Sequence, residues 1–566
     1  MNIIIIYDAV AAGNDMKILG IGFFSGCLAC SFFLPVYGED VEGEEFSPDQ
    51  SYESRIAVSD IYLNQQQDYE DVLSVGFKPR ADVQPWPFEV PVNWSADPFD
   101  DANWKFQLHA WRGVDPVIKK YLDSGEVKYF NEAMSFVRDW YEFHEENGPS
   151  EYTWYDMSVG IRAMRISFLL DEVYEGKVVE SVNDVDILYD LAERHVRYLT
   201  EEENINKGNH GFFQVFGLRM LCTVIEGEVC EGERQYSEEM LEEILERAYT
   251  EEGVHKEHSP SYHAFTLRVL RNFNVDAVMG QGVLDVIQKA EEITPWLAWP
   301  TGRFVEAGDS AGTTDTLVAA PEITCLERHK CFAVGDFTDS GYAVIRSDPG
   351  ADNQNSMLFF TGMSYSRVHK HVDELSFSLF ENGEMLFIDS GKYGYGDDDW
   401  RDYVVSASAH NTISLADEDV GLEYIGYNGS YLSEVLVSEE GFHMVGEVER
   451  RGLFFQSREI TYLPGENLVV RDVLSSEGKR IYVSSLHLAA GLEPVIREDG
   501  FDVVLSDGSL VQAHLEEKDC LVESVRGQLD PIIGWVSVGY KKMEPASVVR
   551  AVCSGDNRSI TWNVQL

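Results

Sequence analysis

The hydrophobic period of the chain changes once, and that change constrains the fold more than any other feature. Between about Asn103 and Thr294 apolar residues recur at the spacing of amphipathic helices. The segments are Val127 to His144, Tyr155 to Val173, Val185 to Leu199, Gly211 to Ile225, Ser237 to Tyr249, Tyr262 to Phe273 and Val283 to Ile293. From Gly341 the period drops to two, in short runs such as Ser356 to Thr361, Leu375 to Phe380, Met385 to Ile388, Glu434 to Val437, His443 to Val448, Leu468 to Val473 and Arg480 to Leu488. Consecutive helices without strands define an all-α region, and hairpins stacked in a ring, a bundle or a solenoid would each bury their apolar faces. The alternating runs define an antiparallel β-sandwich region. The expected fold is multi-domain α+β, with a helical domain over 101–300, a Gly-rich linker over 301–340 and an antiparallel β-sheet domain over 341–566.

Two further segments precede these. Residues 1–38 read as a secretory signal, with Lys17, an apolar run and small residues before Glu39. A membrane anchor is the competing reading, but the run falls short of the roughly 20 residues of a comfortable span, and no later stretch could cross a bilayer. A secreted or periplasmic location follows. Residues 39–100 are acidic and polar and read as an extended leader, docked by the aromatic residues of Pro85-Trp86-Pro87 and Val92-Asn93-Trp94.

Lysines and arginines number 44 against 98 carboxylates, a formal charge of -54, which excludes nucleic-acid binding through a broad basic surface. A polyanionic substrate would meet net repulsion and would need a locally basic cleft. Six cysteines remain after a signal is removed: Cys222, Cys230, Cys325, Cys331, Cys520 and Cys553. An even count suits disulfides in an oxidising compartment. Cys325 with Cys331 is the pair that proximity favours, and free core thiols are the other reading; none has zinc-knuckle spacing.

Chemistry-bearing residues concentrate in three places. The first runs from Tyr365 to Asn411 and holds three of the fourteen histidines, His369, His371 and His410, together with Asp389. His371, Asp389 and His410 are a ligand set suited to zinc or a similar divalent ion, although hydrogen-bonded core histidines would read the same way. His369 and His371 are two apart, so on a strand they share one face. The second is Asn209-His210-Gly211 at a helix start, where Asn209 is either a positioned polar group or an ordinary cap. The third is Glu257-His258-Ser259-Pro260-Ser261-Tyr262-His263, which puts Tyr262 in the first turn of a helix, for packing or for chemistry.

Taken in order, these motifs resemble the heparinase II/III-like polysaccharide lyases. Asn-His-Gly opens a helix, Ser-x-x-Tyr-His follows some fifty residues later, and His-x-His-x-Asp, Asp-x-Gly and Ala-His-Asn come in the β-rich half. Trp154-Tyr155-Asp156 with Arg162, and Ala307-Gly308-Asp309-Ser310, fit the same pattern. The resemblance implies an (α/α) toroid followed by stacked antiparallel sheets, with the cleft between the domains. It implies β-elimination at uronic acids of acidic polysaccharides, with a divalent ion, zinc or else manganese or calcium, held by His371, Asp389 and His410. His369 becomes a cleft residue.

The residue types suit that reaction. Removing a proton beside a carboxylate builds negative charge, so donors such as Asn209 and His210 must neutralise the carboxylate and hold the intermediate. Tyr262 can serve as base and acid if its environment lowers its ordinary pKa of about 10. His369 is the natural second base for the opposite sugar face. Arg162, Arg367 and Arg401 are expected to bind substrate; Tyr393 and Tyr403, with Tyr395, either stack on sugar rings or pack the sandwich. Hyaluronan, chondroitin sulfate and heparan sulfate are the expected substrates, with alginate the alternative. A glycoside hydrolase using Asp156 and Glu257, and a non-catalytic carbohydrate-binding protein, are the other classes.

Overall fold

The protein is described from a computed structural model. It covers residues 63, 67–80, 83–176, 182–273, 280–312, 324–327, 330–347, 356–396, 398–438 and 441–566. The signal segment expected over 1–38 lies outside these residues. The chain divides into two compact units, Met1–Leu199 with Gly217–Glu231, and Thr200–Phe216 with Gly232–Leu566.

The first unit is helical. Its elements are α1 (Tyr69–Val75), α2 (Ala102–His109), α3 (Asp115–Ser124), α4 (Val127–Asn147), α5 (Asp156–Tyr174), α6 (Val182–Leu199) and the later part of α7 (Asn209–Val224). The sequence reading does not anticipate α1 within its extended leader; Asp68 caps it by accepting from the Asp71 amide. Trp94 and Phe88 of the same leader are buried. In α4 the buried residues Phe130, Ala133, Met134, Val137 and Trp140 fall at three- and four-residue steps, the stripe that produces its amphipathic pattern. Every residue of α5 from Met157 to Tyr174 is buried, including two arginines. The Arg165 guanidinium meets Asp115 at 2.9 Å, so this buried charge is paired. A Cys222–Cys230 disulfide lies in this unit.

The second unit begins with the first residues of α7 and continues through α8 (Glu233–Ala248), α9 (Pro260–Asn272) and α10 (Gln281–Ile293). A six-stranded antiparallel sheet follows in sequence order: β1 (Thr324–Glu327), β2 (Lys330–Phe337), β3 (Tyr342–Ser347), β4 (Met357–Thr361), β5 (Phe377–Glu381) and β6 (Glu384–Phe387). Every residue of β3, β4 and β5 is buried. One face of the sheet packs Tyr342, Val344, Met357 and Phe359 against Val254, Ile293, Leu297 and Trp299 of the helical segment. The other packs Ala343, Ile345, Leu358 and Phe360 into the core of a second sheet. A sheet covered on both sides favours apolar residues on both faces, which is why Tyr342–Ile345 and Met357–Phe360 read as continuous apolar runs.

The second sheet has eleven strands and is built on two long neighbours, Asn467–His487 and Ser547–Gln565. The runs expected separately at Leu468 to Val473 and Arg480 to Leu488 belong to the first of these, interrupted by an irregularity between Ser475 and Arg480. A second disulfide joins Cys520 to Cys553. Cys325 and Cys331 stand opposite one another in the β1–β2 register; their side chains lie outside the described residues. A short helix, α11 (Asp399–Val405), connects β6 to the second sheet. No described helix is long and apolar enough to cross a membrane.

Candidate active site

The site is assembled in the second unit from three loops that one glycine-bearing turn holds together. Ser259 caps α9, accepting from the Tyr262 amide at 3.3 Å, and Pro260 takes the first helical position, so Tyr262 leaves the helix in its first turn. Immediately before the cap, His258 adopts φ +62°. Its ring bridges to the second loop, with Nε2 accepting from the Tyr365 amide at 3.0 Å and Nδ1 donating to the Val368 carbonyl at 3.0 Å. Burial pushes this imidazole down to about 3, so it is a neutral brace rather than a proton carrier.

The second loop carries His369 and His371, and here the strand expectation is corrected. Neither residue lies on a strand, and His369 adopts φ +54°, which ends any alternation between them. The two rings take different partners. His369 lies face to face on Tyr262, centroids 3.6 Å apart and planes 14° from parallel, with Nδ1 at 3.1 Å from Glu257 Oε2. Burial alone would raise the Glu257 carboxyl. The His369 hydrogen bond and the fields of His255, His369 and His210 outweigh it and bring the group to about 2.

Ala307-Gly308-Asp309-Ser310 is the turn that joins these loops. The Asp309 amide donates to the His369 carbonyl at 3.0 Å, and Ser310 Oγ lies 2.8 Å from Ser259 Oγ. At Gly308, with φ +51°, an added Cβ would stand 2.6 Å from the carbonyl oxygens of both His258 and His369. Only glycine allows that approach. The Asp309 carboxylate meets His371 Nε2 at 3.0 Å and holds the Arg401 guanidinium. Burial opposes its charge, but His371 and Arg401 keep it far below the usual carboxylate range.

His371, Asp389 and His410 offer ligand atoms that all lie within 4.8 Å of one another, and all three are buried. His371 Nε2 is committed to Asp309, and His410 Nδ1 to Asp389 at 2.7 Å. The opposite nitrogens, His371 Nδ1 and His410 Nε2, are buried and have no hydrogen-bond partner among the described residues. Two oriented lone pairs beside a carboxylate are a donor set that fits zinc or a similar divalent cation. The neighbouring Asn411 is structural. Its amide donates to the Phe377 and Ile388 carbonyls at 2.8 and 2.9 Å, and its oxygen accepts from the His487 amide at 2.6 Å.

A third loop supplies groups that the sequence reading did not single out as catalytic. Tyr395 Oη lies 2.5 Å from Tyr262 Oη and accepts from Lys392 Nζ at 2.9 Å. Burial, with Tyr262 and Asp309 nearby, raises the Tyr395 phenol well above its ordinary value of 10.0, so it keeps its proton. A lysine ammonium has no lone pair, so Tyr395 accepts from Lys392, which leaves its own hydrogen available for donation to Tyr262.

The remaining expected residues take several places. Asn209 and His210 form the half-buried start of α7, and His210 is close enough to act on the Glu257 charge. Arg367 is exposed, while Arg401 is half-buried with its charge directed at Asp309. Two substrate-binding expectations are corrected by burial. Arg162 has no exposed surface; it donates to the His109 carbonyl at 2.7 Å and to the Thr153 carbonyl, and lies over the Trp140 ring. Tyr403 packs on Val404 and Ala409, with its hydroxyl on the Trp535 carbonyl at 3.1 Å. Tyr393 is half-buried beside Trp400.

A helical N-terminal region followed in sequence by antiparallel sheets, with a tyrosine–histidine stack and a buried His/Asp/His set, places the chain among toroid-plus-sandwich proteins. The heparinase II/III N-terminus model matches residues 44–313, and the heparinase II/III-like C-terminal model matches 332–563. The chain belongs to the heparinase II/III-like family. It is 22% identical over 416 residues to the heparin-sulfate lyase of Bacteroides thetaiotaomicron, a match over 64% of this chain and 57% of that protein. The match therefore spans little more than half of that curated relative. Among solved structures, a heparinase III gene product with methylated lysines superposes with TM-score 0.70 at 18% identity, covering 91% of this chain and 86% of that one. A heparan sulfate lyase mutant from Pedobacter heparinus gives 0.68 at 15%, covering 86% and 80%. At these identities the likeness establishes the fold, helical toroid followed by antiparallel sandwich.

Proposed function

We propose that this protein is a polysaccharide lyase that cleaves glycosaminoglycans by β-elimination at uronic acids, with heparan sulfate as its substrate. The observation that carries the proposal is the Tyr262–His369 stack, in which the rings of two proton-transfer residues lie with centroids 3.6 Å apart and separate supports behind them. Behind Tyr262 stands Tyr395, held in turn by Lys392, and a hydrogen donated by Tyr395 stabilises negative charge on the Tyr262 oxygen. Behind His369 stands ionised Glu257, which orients the imidazole. Tyr262 takes the C5 proton and returns a proton to the departing O4, and His369, stacked on the Tyr262 ring, is the second proton-transfer group of the same wall. The relatives, a heparin-sulfate lyase and a heparan sulfate lyase, favour heparan sulfate among the glycosaminoglycans. Asn209 and His210 neutralise the uronate carboxylate as charge builds.

A divalent cation, zinc for preference, is proposed on His371, Asp389 and His410. When bound it supplies a fixed positive charge and ties the His369–His371 loop to the sandwich. Secretion is proposed as well, supported by the two disulfides. A hydrolase would need one carboxylic acid kept protonated, and Glu257, at about 2, is the wrong group for it.

Incubation with heparan sulfate, chondroitin sulfate, hyaluronan and alginate tests the proposal. Ultraviolet absorbance from the new C4–C5 double bond is expected with heparan sulfate. New reducing ends without absorbance would replace the lyase with a hydrolase.

A further inference from the structure

The site described so far leaves unexplained a neighbouring patch of two arginines and a tyrosine. In this acidic chain most exposed arginines are paired, as in Arg194–Glu145, Arg247–Glu243, Arg271–Glu291 and Arg471–Glu459. Arg367 and Arg451 are exposed, and among the described residues neither guanidinium has a carboxylate or hydrogen-bond partner. Glu447 and Glu449 share a strand end with Arg451, yet Glu447 accepts from Tyr431 and neither forms a pair with Arg451.

Backbone contacts bring the two arginines to one place. Arg451 lays its guanidinium over Gly426, and its amide donates to the Tyr424 carbonyl at 2.8 Å. Gly426 and Asn428 are fastened to the His369 loop: Ser364 Oγ donates to the Gly426 carbonyl at 3.0 Å, and the Asn428 amide donates to the Ser364 carbonyl at 2.6 Å. Arg367 lies three residues beyond Ser364 and two before His369. Between the fastened residues stands Tyr427, which at 70% exposure is the most open large aromatic or apolar side chain among the described residues. Leaving a ring that open costs apolar burial and creates a face on which a pyranose can stack.

We infer that Tyr427, Arg451 and Arg367 form an outer subsite that stacks one sugar residue and pairs its sulfate or carboxylate, next to the reacting residue. The inference rests on the polysaccharide reading of the site. Guanidinium forks match both anions in planar, two-bond geometry. In a protein of formal charge -54, two unpaired cations beside the histidine loop are also where a polyanion meets least repulsion.

The test uses Arg451→Gln, Tyr427→Ala and the double variant in the full chain, with thermal melts to show that the exposed changes leave the fold alone. Binding is measured by affinity electrophoresis in gels containing heparan sulfate or its fully desulfated, N-acetylated counterpart, and turnover by ultraviolet absorbance. Each single change is expected to raise the apparent Kd and KM by about three- to fivefold, the scale of one exposed charge contact or ring stack, with kcat held within twofold. Loss confined to the sulfated polymer identifies sulfate as the paired group, and equal loss on both identifies the uronate carboxylate. Wild-type binding and KM in the double variant would overturn the subsite. Absence of absorbance with wild-type protein would instead overturn the lyase reading, and the electrophoresis would still decide the subsite.

Discussion

Replacing Gly308 by alanine tests the idea that one turn sets the geometry of the site. The new Cβ would stand 2.6 Å from two carbonyl oxygens, those of His258 and His369. Ordinary contact begins near 3.4 Å, so full relief from 2.6 Å requires a separation larger by about 0.8 Å at each oxygen. Neither gives way freely, since His369 accepts from the Asp309 amide at 3.0 Å and the His258 ring grips Val368 and Tyr365. The displacement falls on the residues that hold Glu257 to His369 at 3.1 Å and stack Tyr262 on His369 at 3.6 Å. Overpacking costs about 1–3 kcal/mol and left-handed alanine about 1–2 kcal/mol. Misplacing reacting groups by a fraction of an ångström to 1 Å lowers kcat by up to about 10²-fold. Gly383→Ala is the control, because Gly383 also has positive φ (+86°) but no heavy atom within 4 Å of the added Cβ. Thermal melts and kcat on heparan sulfate are the assays. Gly308→Ala should lose more stability than Gly383→Ala and most of its activity. Equal melting shifts with wild-type kcat in both would refute the reasoning.

Tyr262→Phe should lower kcat at least about 10²-fold with the fold intact, whereas Tyr395→Phe, which removes the hydrogen bonds to Tyr262 and from Lys392 but not the proton-transfer group, should lower it by about tenfold; the reverse order, by steady-state kinetics, would exchange their roles. Metal analysis should find one divalent ion per chain, and His410→Ala should lose it and lower the melting temperature; full metal content in that variant would remove His410 from the ligand set. Burial holds His109 and His263 at about 3, below the ordinary 6.5, so between those values the unfolded chain binds protons that the folded chain does not. Their stabilising share is therefore complete above pH 6.5 and falls as pH drops, by about 1.4 kcal/mol per unit for each histidine; denaturation midpoints that do not change from pH 7 to 5 would contradict it.

Much of this arrangement was legible in the sequence, and the rest was hidden for identifiable reasons. Helices with one apolar stripe, such as α4, announce themselves by period. Strand β3, which no alternating run marks, does not, because burial on both faces erases alternation. The His371, Asp389 and His410 grouping is visible as residue types, but the orienting role of Asp309 depends on a turn arriving from 62 positions away. A period-two reading placed His369 and His371 on one face, which a single left-handed residue undoes. Arg162 and Tyr403 have the chemistry of sugar-binding residues, and only packing shows that they serve the interior. By residue type Glu257 suits one half of a hydrolytic pair, and only the fold sets His369 beside it.

The two long neighbouring strands of the second sheet bear on how this molecule opens and closes. Asn467 pairs with Gln565 and His487 with Val548, so the centre of the sheet is stitched from segments far apart in the chain. Contacts of such long range form slowly and, once made, are released only when the whole unit comes apart. Amide hydrogens along Val469–Leu474 and Ile560–Val564 should therefore be among the last to exchange with deuterated solvent, while those of the His369 loop exchange early. A site held in place by loop contacts would then breathe on a sandwich that does not.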